Sequence, residues 1–187
     1  MAIKIYIDQG HNPTNPNAGA EGNGLYEQDI TYEIGRRLYL LLEEDSRYEA
    51  RLSRPEKDTQ LGTSIASSLS ARTTDANSWG ADYFISIHCD ASQIASASGS
   101  SAFVYALGSR AAAFGQSVLN AMCDYTGLPN RGLFARPTLY VLRKTVMPAV
   151  LVETAFITNP GDAALLRDDP QIFARGMYNG INNYFGY

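Results

Sequence analysis

The sequence contains only two histidines, and each comes after a short run of residues that favour β-strands. His11 lies just beyond the alternating segment 3–7, and His88 directly follows the apolar run 83–87. Because ligands of open α/β sheets gather outside the carboxyl ends of strands, we expect both imidazoles at one sheet edge. A lone histidine is more often a hydrogen-bonded structural residue, but a pair at one edge favours a zinc site. Such a site needs a third protein ligand, and a catalytic zinc keeps a fourth position for water.

Glu27 is the best candidate for this third ligand. It stands at the start of the first predicted helix, beyond the loop that begins at His11, where a carboxylate also interacts favourably with the helix N-terminus. The structural alternative is a first-turn acid with no metal role. Asp8, Glu21 and Asp90 are rival ligands, because a carboxylate oxygen from any of them would serve the same ion.

A further carboxylate, Glu153, ends the apolar segment 149–152. A glutamate at the end of such a strand lies at the sheet edge, and a buried carboxylate without a partner is costly. It therefore has either a structural partner, with Arg143 or Arg136 as the candidates, or a chemical function. The other residues expected at this edge favour the functional interpretation.

Predicted strands and helices alternate along the chain. Strands are predicted at residues 3–7, 48–53, 83–87, 102–106, 139–142 and 149–152. Apolar spacing predicts amphipathic helices at about 28–44, 65–80, 114–125 and 173–184. The segment from residue 12 to Leu25 is rich in Asn, Pro and Gly and predicts a long loop, and residues 92–98 predict another. This alternation predicts an α/β fold of βαβ units, with a largely parallel sheet covered by helices.

Composition excludes several function classes. A chain of 187 residues predicts one domain, 1–187, and its apolar content excludes a disordered chain. The net charge of −4, without a Lys/Arg stripe, argues against a nucleic-acid partner. The sequence has no apolar stretch long enough to span a membrane, and its first residues form an alternating strand rather than a secretory signal. Two cysteines, Cys89 and Cys123, are too few to staple a fold.

Five blocks of the sequence resemble, in order, the zinc-dependent N-acetylmuramoyl-L-alanine amidases, cell-wall hydrolases typified by the catalytic domains of autolysins and phage endolysins. The blocks are IYIDQGH at 5–11, GNGLYE at 22–27, LSAR at 69–72, ADYFISIH at 81–88 and PAVLVETAFITN at 148–159. Together with the final predicted helix, they extend the resemblance over nearly the whole chain. One Gly-His pair would be weak evidence, whereas five ordered blocks are specific.

The resemblance implies that His11, Glu27 and His88 hold a zinc ion and that Glu153 is the catalytic carboxylate. It implies a three-layer α/β fold, with a twisted, mostly parallel sheet and helices on both faces, forming a single catalytic amidase domain. It also implies the reaction, which is hydrolysis of the amide between N-acetylmuramic acid and L-alanine in peptidoglycan. In this hypothesis Glu153 takes a proton from the attacking water and passes it to the departing nitrogen, with Arg143 as a possible assistant.

The sequence departs from the family pattern at positions beside the proposed ligands. Gln9 replaces a usual proline, Asn12 and Pro13 follow the first histidine where a glycine is usual, and Cys89 follows the second histidine. None of these changes alters a proposed ligand, although they bear on the shape of the adjoining loop. Cys89 is a conceivable soft ligand, but neighbouring side chains on a strand point to opposite faces, so we expect it to pack inside.

Three other functions stay open at this level: a zinc peptidase that cuts within the stem peptide, a non-catalytic peptidoglycan-binding module, and a structural domain with incidental histidines. For the amidase we expect a monomer that acts at the bacterial cell wall. Since no secretory signal is written in the sequence, a phage or prophage endolysin fits slightly better than a secreted autolysin. We expect the loops at 12–24 and 89–101 to flank the substrate.

Overall fold

A six-stranded mixed sheet forms the centre of the molecule, in a computed structural model that describes residues 2–187. In chain order the strands are β1 (Ile3–Gln9), β2 (Glu21–Gly22), β3 (Leu25–Tyr26), β4 (Tyr48–Leu52), β5 (Tyr83–Asp90), β6 (Ser100–Val104), β7 (Asn130–Ala135) and β8 (Ala149–Phe156). The sheet order is β4-β1-β5-β8-β6-β7, while β2 and β3 form a separate two-residue pair. All neighbouring strands of the large sheet are parallel except β6 and β8. The predicted α/β fold with a mostly parallel sheet is confirmed.

Helices cover both faces of this sheet, as predicted. They are α1 (Glu27–Glu43), α2 (Ile65–Trp79), α3 (Arg110–Thr126), α4 (Tyr140–Lys144), α5 (Pro160–Asp168) and α6 (Pro170–Phe185). Apolar residues of α1, α3 and α6 pack with one set of strand residues in the larger core. Residues of α2 and α4 pack on the other face in a smaller core that contains Tyr6, Phe84 and Leu151. None of the helices within residues 2–187 combines the length and apolar character that crossing a bilayer requires.

The period of two along β5 divides its side chains between the faces. Phe84 lies in the smaller core, whereas Ile85, Ile87 and Cys89 lie in the larger one. His88 therefore belongs to the face that carries α2 and α4, and Cys89 packs inside on the opposite face, as expected. Both cysteines of the chain are free and buried.

The segment 139–142 is an error of the sequence prediction. It was expected to be a strand, but Leu139 only precedes the short helix α4, which buries Val141 and Leu142 and exposes Arg143. A run of four apolar residues does not distinguish a strand from one buried helical turn, because both can bury adjacent apolar side chains.

The sequence did not predict β7, which is the strand at one edge of the sheet. Its residues NRGLFA lack an alternating pattern, because β7 is an edge strand in which no residue is fully buried. Its pairing with β6 also changes register between Ser100 and Ser101. Helix α5 was missed as well, and the pair β2–β3 lies in a segment predicted to lack regular structure.

The crossing of α3 and α6 depends on two glycines of α6. A Cβ atom at Gly180 would overlap Val118 Cα and would lie 2.7 Å from the carbonyl oxygen of Ser117. One at Gly176 would lie 2.6 Å from Met122 Cα. Since these neighbours are backbone atoms, neither contact can be relieved by rotating a side chain.

We predict that Gly180→Ala lowers the free energy of unfolding by about 1–3 kcal/mol, despite the better helix propensity of alanine, because the helices must separate. Urea denaturation measures this change. Asn183→Ala, an exposed position on the same helix, is the control and should stay within about 0.5 kcal/mol of the wild type. Equal stability of the Gly180 variant and the wild type would contradict this account of the crossing.

Candidate metal centre

Three side chains from distant parts of the sequence converge at the carboxyl edge of β1 and β5. Glu27 Oε1 lies 3.1 Å from His11 Nε2 and 3.0 Å from His88 Nδ1. One ligand atom from each residue lies within 4.8 Å of the other two. The two imidazole rings meet edge to face, with their centroids 4.8 Å apart. The structure thus brings together the three residues that the sequence indicated as ligands.

The donor set fits zinc. Two imidazole nitrogens and one carboxylate oxygen are a ligand set found in catalytic zinc sites, which leave a further position for water. The His11 and His88 side chains are 20% and 19% exposed, whereas Glu27 is 5% exposed. The histidines therefore form the solvent-facing side of the centre, and substrate can approach from there.

Two backbone N–H groups hold the carboxylate of Glu27 in place without a bound ion. It is the first residue of α1, and its Oε2 accepts the N–H of Ala20 at 2.8 Å. Its Oε1 accepts the N–H of Cys89 at 3.0 Å. Burial raises the pKa of Glu27, but hydrogen bonds from His11 and His88 outweigh burial and hold this pKa well below its usual value. The residue is therefore an anionic carboxylate in a set orientation.

Close packing around the ligands requires two glycines. A Cβ atom at Gly10 would lie 2.6 Å from His88 Cε1 and from the carbonyl oxygen of Ile87. A Cβ atom at Gly19 would lie 2.7 Å from Glu27 Cβ and 2.9 Å from His11 Cδ2. Any larger residue at either position would displace a ligand.

His11 has a left-handed backbone conformation, with φ of 68°, which residues other than glycine rarely adopt. Its carbonyl oxygen accepts hydrogen bonds from the guanidinium groups of Arg72 and Arg54. Both arginines are fully buried. Gln9, the residue that departs from the family pattern, accepts the backbone N–H of Arg54 at 2.9 Å. Strained backbone at a ligand persists only where its surroundings fix it, and the arginines supply that constraint.

Asp8 neutralises the buried arginine beside it. Arg72 Nη1 lies 2.7 Å from Asp8 Oδ1, and both side chains are only 1% exposed. Ser86 donates to Asp8 Oδ2 at 2.7 Å. Burial raises the pKa of Asp8, but Arg72 and these hydrogen bonds outweigh burial and lower it. Asp8 is therefore a structural anion within this network rather than a ligand.

The other rival ligands also lie outside the cluster. Glu21 is exposed on β2. Asp90 is half-buried two residues beyond His88, and burial raises its pKa. Of the four acids considered as third ligand, only Glu27 contacts both imidazoles.

Glu153 lies beside the cluster on the neighbouring strand. It is the register partner of His88 across β5 and β8, and of Ser101 across β6 and β8. Its Oε2 atom is buried with no hydrogen-bond partner within residues 2–187. Burial, reinforced by the charges of Glu27 and Asp90, raises the pKa of Glu153 well above its usual value. The carboxyl group is thus poised to hold or exchange a proton.

Neither arginine proposed as a structural partner reaches Glu153. Arg143 lies on α4, is exposed and lines a cavity with Pro148 and Ala149 at the opposite end of β8, so the structure does not place it beside Glu153. Arg136 lies over the ring of Phe103, with its Cζ 5.2 Å from the ring centroid.

The loop at His11 is shaped by Arg72, Arg54 and Asn12, a role that the sequence did not indicate. Asn12 is fully buried and donates to the carbonyl oxygens of Pro16 and Leu61. A signal existed for Arg72, because it falls between Ser68 and Ala76 at four-residue spacing on the buried face of α2. Arg54 stands in a segment without periodicity, which offered no such signal.

We predict that Arg72→Met lowers the free energy of unfolding by about 3–5 kcal/mol, since it leaves Asp8 charged and buried without a cationic partner. Urea denaturation checks this value. Adding Asp8→Asn should restore part of the loss, because the stranded charge is removed. Arg51→Met is the matched control: Arg51 pairs with Asp75 at 2.8 Å but is 45% exposed, so its loss should cost about 1 kcal/mol or less. A similar cost for both arginines would refute the assigned role of the buried pair.

Comparison with known proteins gives consistent results. A family model described as N-acetylmuramoyl-L-alanine amidase matches residues 5–183. The N-acetylmuramoyl-L-alanine amidase CwlM of Bacillus licheniformis is 34% identical over 187 residues, covering 98% of this chain and 69% of that protein. The sporulation-specific N-acetylmuramoyl-L-alanine amidase of Bacillus subtilis (strain 168) is 32% identical over 186 residues, covering 98% and 68%. The crystal structure of N-acetylmuramoyl-L-alanine amidase from Clostridium difficile 630 superimposes with a TM-score of 0.87 at 26% identity, covering 99% and 97%.

Proposed function

Because this chain belongs to the N-acetylmuramoyl-L-alanine amidase family, we propose that it is a zinc enzyme whose metal is held by His11, Glu27 and His88. The chain is a peptidoglycan amidase, which hydrolyses the amide between N-acetylmuramic acid and L-alanine. The convergence of two imidazoles on one buried, anionic carboxylate carries the metal proposal.

Glu153 is the proposed catalytic carboxylate. A bound zinc would supply Lewis acidity to the scissile carbonyl group and to the attacking water. Glu153 takes a proton from that water as the C–O bond forms, and returns it to the alanine nitrogen as the C–N bond breaks. Burial raises the pKa of Glu153, which favours its holding the proton between the two steps.

The surrounding network positions these groups. Backbone donors from Ala20 and Cys89 hold Glu27, while Arg72 and Arg54 hold the carbonyl oxygen of His11. The ligands are therefore largely preorganised, which reduces the reorganisation needed when the metal binds.

We further propose that residues 1–187 act as one catalytic domain and as a monomer at the bacterial cell wall. The two apolar cores share a single sheet, and the family match runs from its first strand into its last helix. Size-exclusion chromatography with light scattering tests the monomer.

The first test of the proposed site separates ligands from the catalytic acid. His11→Ala, His88→Ala and Glu27→Gln should each lose both zinc and activity, whereas Glu153→Gln should keep about one zinc per chain and lose about 10²–10⁴-fold in kcat. Metal analysis and turbidity loss of purified walls measure the two properties. Glu21→Gln, a change to an exposed acid on β2, should preserve both zinc and activity. Zinc retained in a histidine variant, or lost from the Glu153 variant, would refute that residue's assignment.

The second test concerns the bond and the need for metal. Digestion of purified peptidoglycan should release peptides with a free L-alanine amino group, with no new termini inside the stem peptide. A chelator should abolish this release, and added Zn²⁺ should restore it, since the proposed chemistry needs a Lewis acid. Mass spectrometry of the digest identifies the products. New termini within the peptide would instead indicate the peptidase considered above, and undiminished cleavage in the chelator would refute zinc dependence.

A further inference from the structure

A shallow groove lies across β6 and β7, next to the strand that carries Glu153. Its volume is about 440 Å³, and it is lined by Asp90, Ser101, Phe103, Arg131, Phe134 and Arg136. No sequence pattern pointed to it, because three of these residues belong to or follow β7, the strand that sequence analysis missed.

The groove adjoins the strand that carries Glu153. Ser101 is the register partner of both Glu153 and Gly132, so these three residues form a row across β8, β6 and β7. Phe103 and Phe134 form the next row, as paired residues of β6 and β7. With strands spaced about 4.8 Å apart, β7 lies about 10 Å from Glu153, which is the span of about three residues of an extended peptide.

The two arginines that line the groove form no ion pair within residues 2–187, although the charge of Arg131 partly offsets the burial that raises the pKa of Asp90. Arg131 donates to the carbonyl oxygen of Ser98 at 3.2 Å, and its Cζ lies 4.9 Å from the ring centroid of Phe156. The guanidinium of Arg136 rests on Phe103. Each guanidinium has five N–H donors, so most of them face solvent or the groove. Two unpaired cations on one groove are notable in a chain with a net charge of −4.

The groove carries charges of both signs. Asp90 of β5 lines it, and Arg131 lies over Phe156, the register partner of Asp90 on β8, whereas Arg136 lies over Phe103 towards β7. Cleavage frees the amino group of alanine beside Glu153. The stem peptide continues from that alanine and carries carboxylates on later residues, which the two guanidinium groups can bind. The sugar side offers no comparable match, because the muramoyl carboxyl group is consumed in the scissile amide.

We propose that this groove binds the stem peptide, and that Arg131 and Arg136 determine specificity by engaging a free carboxylate on its second or third residue. The inference rests on the proposed function and adds the direction of the substrate to it. Phe103 and Phe134 form the apolar floor beneath the peptide. Guanidinium groups bind carboxylates through paired, charge-assisted hydrogen bonds, so amidation of the engaged carboxylate removes the interaction.

The test uses four zinc-loaded proteins: the wild type, Arg131→Gln, Arg136→Gln and Arg143→Gln. The substrates are synthetic muramoyl peptides in which the carboxylate of the second residue, the third residue, both or neither is converted to an amide. We expect kcat/KM of the wild type to fall about tenfold when the engaged carboxylate is amidated, and the two single-amide substrates identify which residue it is. Arg131→Gln or Arg136→Gln should lower kcat/KM by about five- to tenfold on the acid substrate and leave it unchanged on the amide.

Arg143→Gln is the matched control: it changes an exposed arginine at the opposite end of β8 and should behave as the wild type on every substrate. Two further variants, Arg131→Lys and Arg136→Lys, should each recover part of the loss, because lysine keeps the charge but not the paired geometry. Far-UV circular dichroism verifies that each variant is folded.

Failure of the inference is distinguishable from failure of the proposed function. A wild-type enzyme that cuts none of the muramoyl peptides, while correctly folded and loaded with zinc, contradicts the proposed function. A wild-type enzyme that cuts acid and amide peptides equally, with the glutamine variants unchanged, overturns only the groove assignment. Variants that lose activity on whole walls but not on peptides would indicate binding of an anionic wall polymer, which also overturns it.

Discussion

The buried ion pair between Arg72 and Asp8 is the interaction on which the metal centre depends. It joins the first strand to α2, and the same guanidinium donates to the carbonyl oxygen of His11. His11 adopts a left-handed conformation that has an energetic cost for a side chain of its size. The pair contributes little net stability by itself, because both charges lose hydration on burial. Its effect is on conformation, since it fixes the backbone turn that orients the His11 imidazole.

Glu27 provides the second constraint. Its carboxylate accepts backbone donors from the loop before α1 and from β5, and it contacts both imidazoles. One side chain thus ties together the loop, the helix and the central strand. Gly10 and Gly19 permit the close approach that this arrangement requires. The fold thus holds the three proposed ligands close together without a bound ion.

The reversed direction of β6 shapes the surface beside this centre. Because β6 runs antiparallel to β8, the start of β6, rather than its end, lies at the catalytic edge and places Ser101 next to Glu153. Helices α2 and α4 pack on this face over the smaller core but leave the strip formed by β6 and β7 accessible. This accessible strip contains the proposed peptide groove. The same sheet therefore carries the proposed catalytic carboxylate and the proposed binding surface for the peptide.

The sequence by itself indicated the α/β class, the main strands and amphipathic helices, and His11, Glu27, His88 and Glu153 as candidate site residues. These signals are local, since each arises from an apolar run and the residue that ends it, or from ordered family motifs. Only the tertiary structure decided that residues 139–142 form part of a helix, that β7 completes the sheet, and that Arg143 lies far from Glu153. Only the tertiary structure shows that Glu27, rather than Asp8, contacts both imidazoles. It also shows that Arg131 and Arg136 line one groove. Such outcomes depend on strand order and on pairing between segments far apart in the chain, which local periodicity does not encode.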